Sequence, residues 1–293
     1  MLRKPAGTAR VRTFPLLSPS IAVLLVWMII PLAMTLWFSF RRYNLLNPML
    51  HGSAGINNYR FLLADPALAH ILSTTVLLVV AILAITVGLG AVTAALFNLT
   101  FPGRGIARVL MISPFFVMPT VSALIWKNLL MHPVNGLFAA IARGLGLPVI
   151  DWFGSIPLIS IVIIVSWEWL PFAFLILLTA LQSLDQEQIE AAKLDGAGPL
   201  AIFFHIQIPH MARAISVVIM METIFLLGIF AEIYVTTAGG PGIATTNLPF
   251  LIYQRALLAF DVGGASAAGV LAIILANVIA AFLIRTIARR LDV

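Results

Sequence analysis

Six stretches of this chain are long and apolar enough to cross a lipid bilayer, and they leave little else to fold. A spanning helix needs about 20 mostly apolar residues. The windows fall at roughly 16–40, 71–97, 108–130, 155–181, 211–237 and 263–285. Hydrophobic residues make up 61% of the chain and charged residues 10%, with a mean hydropathy of +1.08. A soluble domain carries about 25% charge, so most of this length must face lipid or other protein. The expected fold is all-α: one polytopic membrane domain over residues 1–293 with six transmembrane helices.

The start mimics a secretory signal, with Arg3, Lys4, Arg10 and Arg12 before an apolar stretch. A signal peptide's apolar region is only about 7–15 residues. Here it runs from Leu16 to Phe40, and Arg41-Arg42 follows with no small-x-small cleavage site. An uncleaved first span is expected. Lysine and arginine placement sets the direction. With the N-terminus inside, the inner segments hold Arg3, Lys4, Arg10, Arg12, Arg104, Arg108, Lys193, Arg213, Arg285, Arg289 and Arg290. The outer ones hold Arg41, Arg42, Arg60, Lys127, Arg143 and Arg255. Both termini are therefore expected in the cytoplasm. The net charge of +6 and pI near 10.3 match some nucleic-acid binders. These basic residues sit in short loops between apolar runs, which fits the membrane bias and gives no reason to expect a nucleic acid. There is no cysteine, hence no disulfide, thiolate metal site or thiol nucleophile.

The outer loops are expected at about 41–70, 131–154 and 238–262. The second holds a short surface helix from Asn135 to Leu145, ended by Gly144 and Gly146. Asp151-Trp152-Phe153 then marks a membrane boundary, where Trp is favoured. The third opens with Gly239-Gly240-Pro241-Gly242. No internal repeat is visible.

The inner connection at 182–210 is the one long polar interruption. From Leu184 to Pro209 it reads LDQEQIEAAKLDGAGPLAIFFHIQIP. Asp185 is placed to cap a helix, with Gln188 in capping-box position and Glu187 and Glu190 in turns where the helix dipole favours negative charge. Gly196 ends that helix in a left-handed conformation. Gly198-Pro199 starts a second one bearing Leu200, Ile202, Phe203, Phe204 and Ile206, and Pro209 is expected to stop it. The result is a helix–glycine–helix unit with an apolar face, suited to insertion into a partner's groove.

Glu190-Ala191-Ala192, then Asp195-Gly196-Ala197, then Ile206 and Ile208-Pro209 resemble the EAA loop in permeases of binding-protein-dependent ABC importers. The resemblance implies a type I importer permease fold, with this loop docking into the ATPase subunit. By position, Glu190 would make the charge contact and Gly196 would permit close approach. Ala191, Ala192, Asp195, Ala197, Ile206 and Pro209 complete the coupling set.

Further likenesses run along the chain. Asn58-Tyr59 with Phe61 resembles an N-Y-x-x-F element, Trp167 with Pro171-Phe172 a W-x-x-x-P-F element, and Thr237 to Pro241 a T-x-G-G-P turn. Together they are similar to carbohydrate-uptake permeases of the maltose-permease type. Glu222 to Asn247, with Phe260 to Gly263, looks closest to sorbitol and mannitol permeases. No large extra periplasmic domain or additional N-terminal span is expected. The implied partners are a second permease subunit, two ABC ATPase subunits, a periplasmic or lipid-anchored solute-binding protein, membrane lipid and a sugar or polyol. The implied location is the bacterial cytoplasmic (inner) membrane.

Acidic residues within spans are costly and usually face a cavity or a partner. Glu168 lies in the fourth span, Glu222 and Glu232 in the fifth, and Asn277 in the sixth. A carboxylate that accepts hydroxyl hydrogen bonds beside an aromatic face makes a sensible polyol site. Glu168, Trp167, Trp169, Glu222 and Asn277 are thus candidates for the substrate pathway, although adjacent helix residues diverge by about 100°, so at most one Trp shares a face with Glu168. The alternative is that Glu168 and Glu222 tie helices or subunits together, and Glu232 is an outer-gate or structural residue. Pro114, Pro119, Pro157 and Pro171 are expected to kink their spans.

No G-x-x-x-x-G-K-[ST] occurs, so any ATP and Mg would be bound by partner subunits and no cofactor by this chain. The five histidines, His51, His70, His132, His205 and His210, show no metal-ligand spacing, and no metal site is expected. A non-enzymatic subunit follows. Two other possibilities stand: an importer permease for a modified sugar or disaccharide, and an ion-coupled secondary transporter using Glu168 and Glu222.

Overall fold

The structure, a computed structural model, describes residues 14–47, 49 and 52–291. Arg3, Lys4, Arg10, Arg12 and His51 lie outside the described residues. The fold is helical. Among the described residues five helices are long and apolar enough to cross a membrane, or six if one bent pair counts as a single span.

Helix α1 (Phe14–Ser39) is followed by a two-residue hairpin, β1 (Arg41–Arg42) antiparallel to β2 (Gly52–Ser53), and by α2 (Asn57–Leu63). Asn58 secures this corner by donating to the Ser39 and Arg41 carbonyls at 2.8 and 2.9 Å. Helix α3 (Ala67–Asn98) ends where its last carbonyls meet arginines from α4 (Arg104–Ile112). Arg108 donates to the Phe97 carbonyl at 2.9 Å and Arg104 to that of Leu99 at 3.2 Å. Cations at a helix C-terminus satisfy orphan carbonyls and complement the dipole.

The third window is not one helix. α4 continues as a 3₁₀ turn over Ser113–Phe116, the chain opens at Val117–Met118, and α5 (Pro119–Leu124) leaves at 99° and widens into a π-turn over Ile125–Leu130. The interruption starts locally: Pro119 disfavours the α region for its predecessor, and Met118 sits at ψ 138. The expected kink is a break.

A surface helix α6 (Leu137–Gly144) and a short α7 (Trp152–Ser155), capped by Asp151 through the Gly154 N–H at 3.0 Å, lead into α8 (Pro157–Leu181). Beyond it come α9 (Gln186–Leu194), α10 (Pro199–Ile202) and α11 (Ile208–Leu226). The fifth window, expected at 211–237, is also divided. α11 ends at Leu226, and α12 (Ala231–Thr236) is a separate helix. Between them lies Gly228, a poor helix former, and the Ile229 carbonyl is taken by the Asn247 amide at 2.6 Å. The chain closes with α13 (Leu248–Tyr253) and α14 (Val262–Leu291), whose start is capped by Asp261 through the Gly264 N–H at 3.0 Å.

The core is a bundle of three helices. α3 packs along α8, α8 on α11, and α11 on α3. A Cβ on Gly90 would come within 2.9 Å of the Ala173 Cβ, so these two helices meet at a glycine. Small residues at such crossings let backbones approach. One apolar cluster joins Leu78, Ile82, Ile161, Val165, Leu226 and Phe250, and a second joins Ala94, Phe174, Leu177, Leu181, Met211 and Val218 at the α9 end. α14 carries α1, α2 and α13. The outside is apolar: Trp27, Val23, Ile106, Phe116 and Phe282 are all exposed, as a surface facing lipid or other protein requires.

Candidate functional site

The loop between α8 and α11 is built by ordinary helix-end chemistry. The Asp185 carboxylate accepts from the Glu187 N–H at 3.0 Å, one residue earlier than Gln188, the position marked by the capping-box pattern. α9 then closes in a full Schellman motif: the Gly196 N–H reaches the Lys193 carbonyl at 3.0 Å and the Ala197 N–H the Ala192 carbonyl at 2.9 Å. Gly196 sits at φ +84, a conformation that costs any residue with a Cβ about 1–2 kcal/mol. The spacing of Ala192, Gly196 and Ala197 is therefore that of one helix terminus.

α10 begins at Pro199, but Pro209 does not stop it. The chain runs on through a π-turn at Phe203–Gln207 into α11, giving one helical run from Pro199 to Leu226. A proline removes one N–H and crowds the carbonyl four residues back, and the widened turn just before it accommodates both.

Ile189 of α9 and Ile202 of α10 are buried, while Glu190, Ala191, Asp195 and Gly196 are exposed. Leu194 is 89% exposed, Leu200 74% and Phe204 60%. Ile206 is half-buried and Pro209 exposed. The loop thus presents apolar side chains and a carboxylate on a closed, capped frame.

The midspan acids are interior. Glu168 and Glu232 are each 5% exposed and Glu222 is 0% exposed. Glu222 Oε2 accepts the Thr86 hydroxyl at 2.6 Å, joining α11 to α3. Glu168 on α8 lies against Glu232 of α12 and Ser122 of α5. Glu168 Oε1, Glu222 Oε1, Ser122 Oγ, Ser166 Oγ and Trp126 Nε1 are buried without hydrogen-bond partners among the described residues.

Trp167 and Trp169 diverge as helical geometry requires. Trp167 packs edge-on against Trp126 at 5.8 Å, and Trp169 against Phe225 at 5.1 Å and Phe115 at 5.9 Å. Asn277 is exposed on α14 and donates to the Ile273 carbonyl at 2.8 Å. The structure thus gathers Glu168 and Glu232 but does not bring Asn277 into that group.

The Gly239-Gly240-Pro241 turn is folded inward. A Cβ on Gly239, at φ +86, would lie 2.6 Å from Phe250 Cε1. Its carbonyl accepts from the Thr245 N–H at 3.0 Å and the Thr246 hydroxyl at 3.2 Å. Asn247 then caps α13 through the Phe250 N–H at 3.0 Å while holding the Ile229 carbonyl. Thr245, Thr246 and Asn247 are sealing residues missed from sequence. The available signal was Asn followed by Leu-Pro, a helix start.

The family profile described as "Binding-protein-dependent transport system inner membrane component" matches residues 10–293. A probable ABC transporter permease protein, y4oQ of Sinorhizobium fredii, is 32% identical over 254 residues, covering 85% of this chain and 81% of its own. The trehalose/maltose transport system permease protein MalF of Thermococcus litoralis is 32% identical over 263 residues, 89% of this chain and 88% of that one. A bacterial alginate ABC transporter crystallised with its pentasaccharide-bound periplasmic protein contains a chain that superposes with a TM-score of 0.78. That chain is 20% identical, and the match covers 95% of this chain and 94% of that one.

Proposed function

This chain belongs to the binding-protein-dependent transport system inner membrane components, and from that premise we propose that it is one transmembrane half of an ATP-driven importer for a sugar or sugar alcohol. It is a permease subunit of the ABC class and is itself non-catalytic. The partners under this reading are a second permease, two ATPase subunits that bind ATP and Mg, and a periplasmic or lipid-anchored solute-binding protein. Both termini and the α9–α10 loop lie in the cytoplasm. The similar permease MalF is named for trehalose/maltose transport, which supports a carbohydrate class. Sorbitol and mannitol are the first solutes to test. An ion-coupled secondary transporter is not favoured, since the family is one of binding-protein-dependent transport systems and the y4oQ relative is named an ABC transporter permease.

The observation that carries the coupling role is the exposure of Leu194, Leu200 and Phe204 on the same loop as the exposed Glu190. A capped helix pair offering apolar side chains to solvent on a 28-residue helical run is a ready insert for a groove. Movement of the ATPases against it would shift α8 and α11 together. The experiment is affinity purification of the chain with its membrane partners, and of Glu190→Lys and Gly196→Val variants. The wild-type chain is expected to retain an ATPase and a second permease, and both variants to lose ATP-dependent uptake. Unchanged uptake in both variants refutes the docking role.

A further inference from the structure

The two legs of the loop are joined at their base by a polar clasp. His210 Nε2 lies 3.1 Å from the Ala180 carbonyl and 3.1 Å from Ser183 Oγ. The Ser183 hydroxyl donates to the same carbonyl at 2.7 Å, and the Ser183 N–H does so at 3.1 Å. A carbonyl only accepts, so Nε2 carries a hydrogen and donates. Ala180 is in the last turn of α8, where carbonyls gather the negative end of the helix dipole and draw donors. The contact spans 30 residues and closes the whole loop into a ring. Beneath it, Leu181 and Met211 are buried together, with Leu184 and Ile208 packed alongside.

The position of the clasp matters mechanically. His210 directly follows Pro209 and the π-turn at Phe203–Gln207. That stretch is the softest part of the leg, because its ladder is widened and one N–H is missing. A force applied at Glu190 and travelling up this leg alone would be absorbed there. Through His210 the far side of the soft turn is tied to the end of α8.

We propose that His210 is a positioning residue which holds the base of the loop so that α8 and α11 move as one body when the ATPases act on it. This rests on the coupling role proposed above.

The chain has no cysteine, so Gln186→Cys and Arg213→Cys introduce a unique pair for spin labels. Distances between the labels are measured in the complete complex, without nucleotide and after trapping with ATP and vanadate. With His210 present, one narrow distribution is expected in both states. In His210→Ala the distribution widens by about twofold, the mark of local opening, while the melting temperature and the amount of retained ATPase stay unchanged. His210→Gln keeps a donor near the same place and restores the narrow distribution.

A distribution as narrow in His210→Ala as in the parent overturns the proposal. So does a shift between the two states in the parent, or widening that comes only with a lowered melting temperature. Absence of an ATPase from the purified unlabelled wild-type chain refutes the importer reading, and the proposal with it.

Discussion

The tie between Glu222 and Thr86 makes the sharpest stability prediction. Glu222 is fully buried in α11, one carboxylate oxygen accepts the Thr86 hydroxyl at 2.6 Å, and the other has no partner among the described residues. Thr86→Val removes the donor without changing shape much. A hydrogen bond to a charged group contributes about 1.5–3 kcal/mol in soluble proteins, whereas interhelical bonds in membranes average about 0.6 and reach about 1.7 kcal/mol. This bond is short and fully buried, and the other carboxylate oxygen has no partner among the described residues, so the upper membrane value applies and about 1–2 kcal/mol should be lost. In a Glu222→Met background the same change should cost only about 0.3 kcal/mol, because the interhelical bond is already gone. Thr86 Oγ retains only a long 3.4 Å contact to Leu83 in its own helix. The assay is a double-mutant cycle on reversible unfolding in mixed micelles. Equal costs of Thr86→Val in both backgrounds would refute the reasoning.

Three further outcomes follow from the packing. Gly90→Val drives a side chain into Ala173, 2.9 Å from where its Cβ would sit, and should cost about 1–3 kcal/mol of overpacking, read as a lowered melting temperature in detergent that Gly90→Ala reproduces only in part. Asn247→Ala removes the cap of α13 and orphans the Ile229 carbonyl; a loss of about 0.5–2 kcal/mol is expected, with faster amide exchange at Ile229 to Ala231 and at Phe250. Asp65→Asn breaks a 3.1 Å pair with Arg255 whose side chains are 32% and 20% exposed, and should cost no more than about 1 kcal/mol, a difference that shrinks in high salt.

The apolar windows were legible because composition alone forbids a wetted surface, and α3, α8 and α14 run close to the stretches read from sequence. The α9 terminus was legible because Asp185 and Gly196 act on their near neighbours. What escaped depends on distant partners. Pro114 and Pro119 were in plain view, but a proline fixes only its own turn and its predecessor. Whether the result is a kink or a 99° break is decided by how α5 packs against α12 and α8. The gap after α11 depends on an amide eighteen residues beyond Ile229. Pro209 was misread for the opposite reason: the turn ahead of it widens and lets the helix continue. The β1–β2 pair is too short to show alternation. Of the candidate pathway residues, Glu168 and Glu222 were singled out for the cost of burying them, and both are buried. Asn277, chosen only for being polar within a span, faces outward.

The placement of α1 bears on how the chain is made. Its main helical partner is α14, which begins at Val262, more than two hundred residues after Ser39. At a synthesis rate of about 5–20 residues per second, the first helix waits roughly ten to forty seconds in the bilayer before the last one arrives. It can do so because its outward side chains, from Val23 to Trp37, are apolar, and its Thr35 hydroxyl bonds its own Pro31 carbonyl at 2.9 Å. The buried acids of α8 and α11, by contrast, each find an earlier helix already in place, Glu168 meeting α5 and Glu222 meeting Thr86 of α3, while Glu232 reaches Glu168 only when α12 follows.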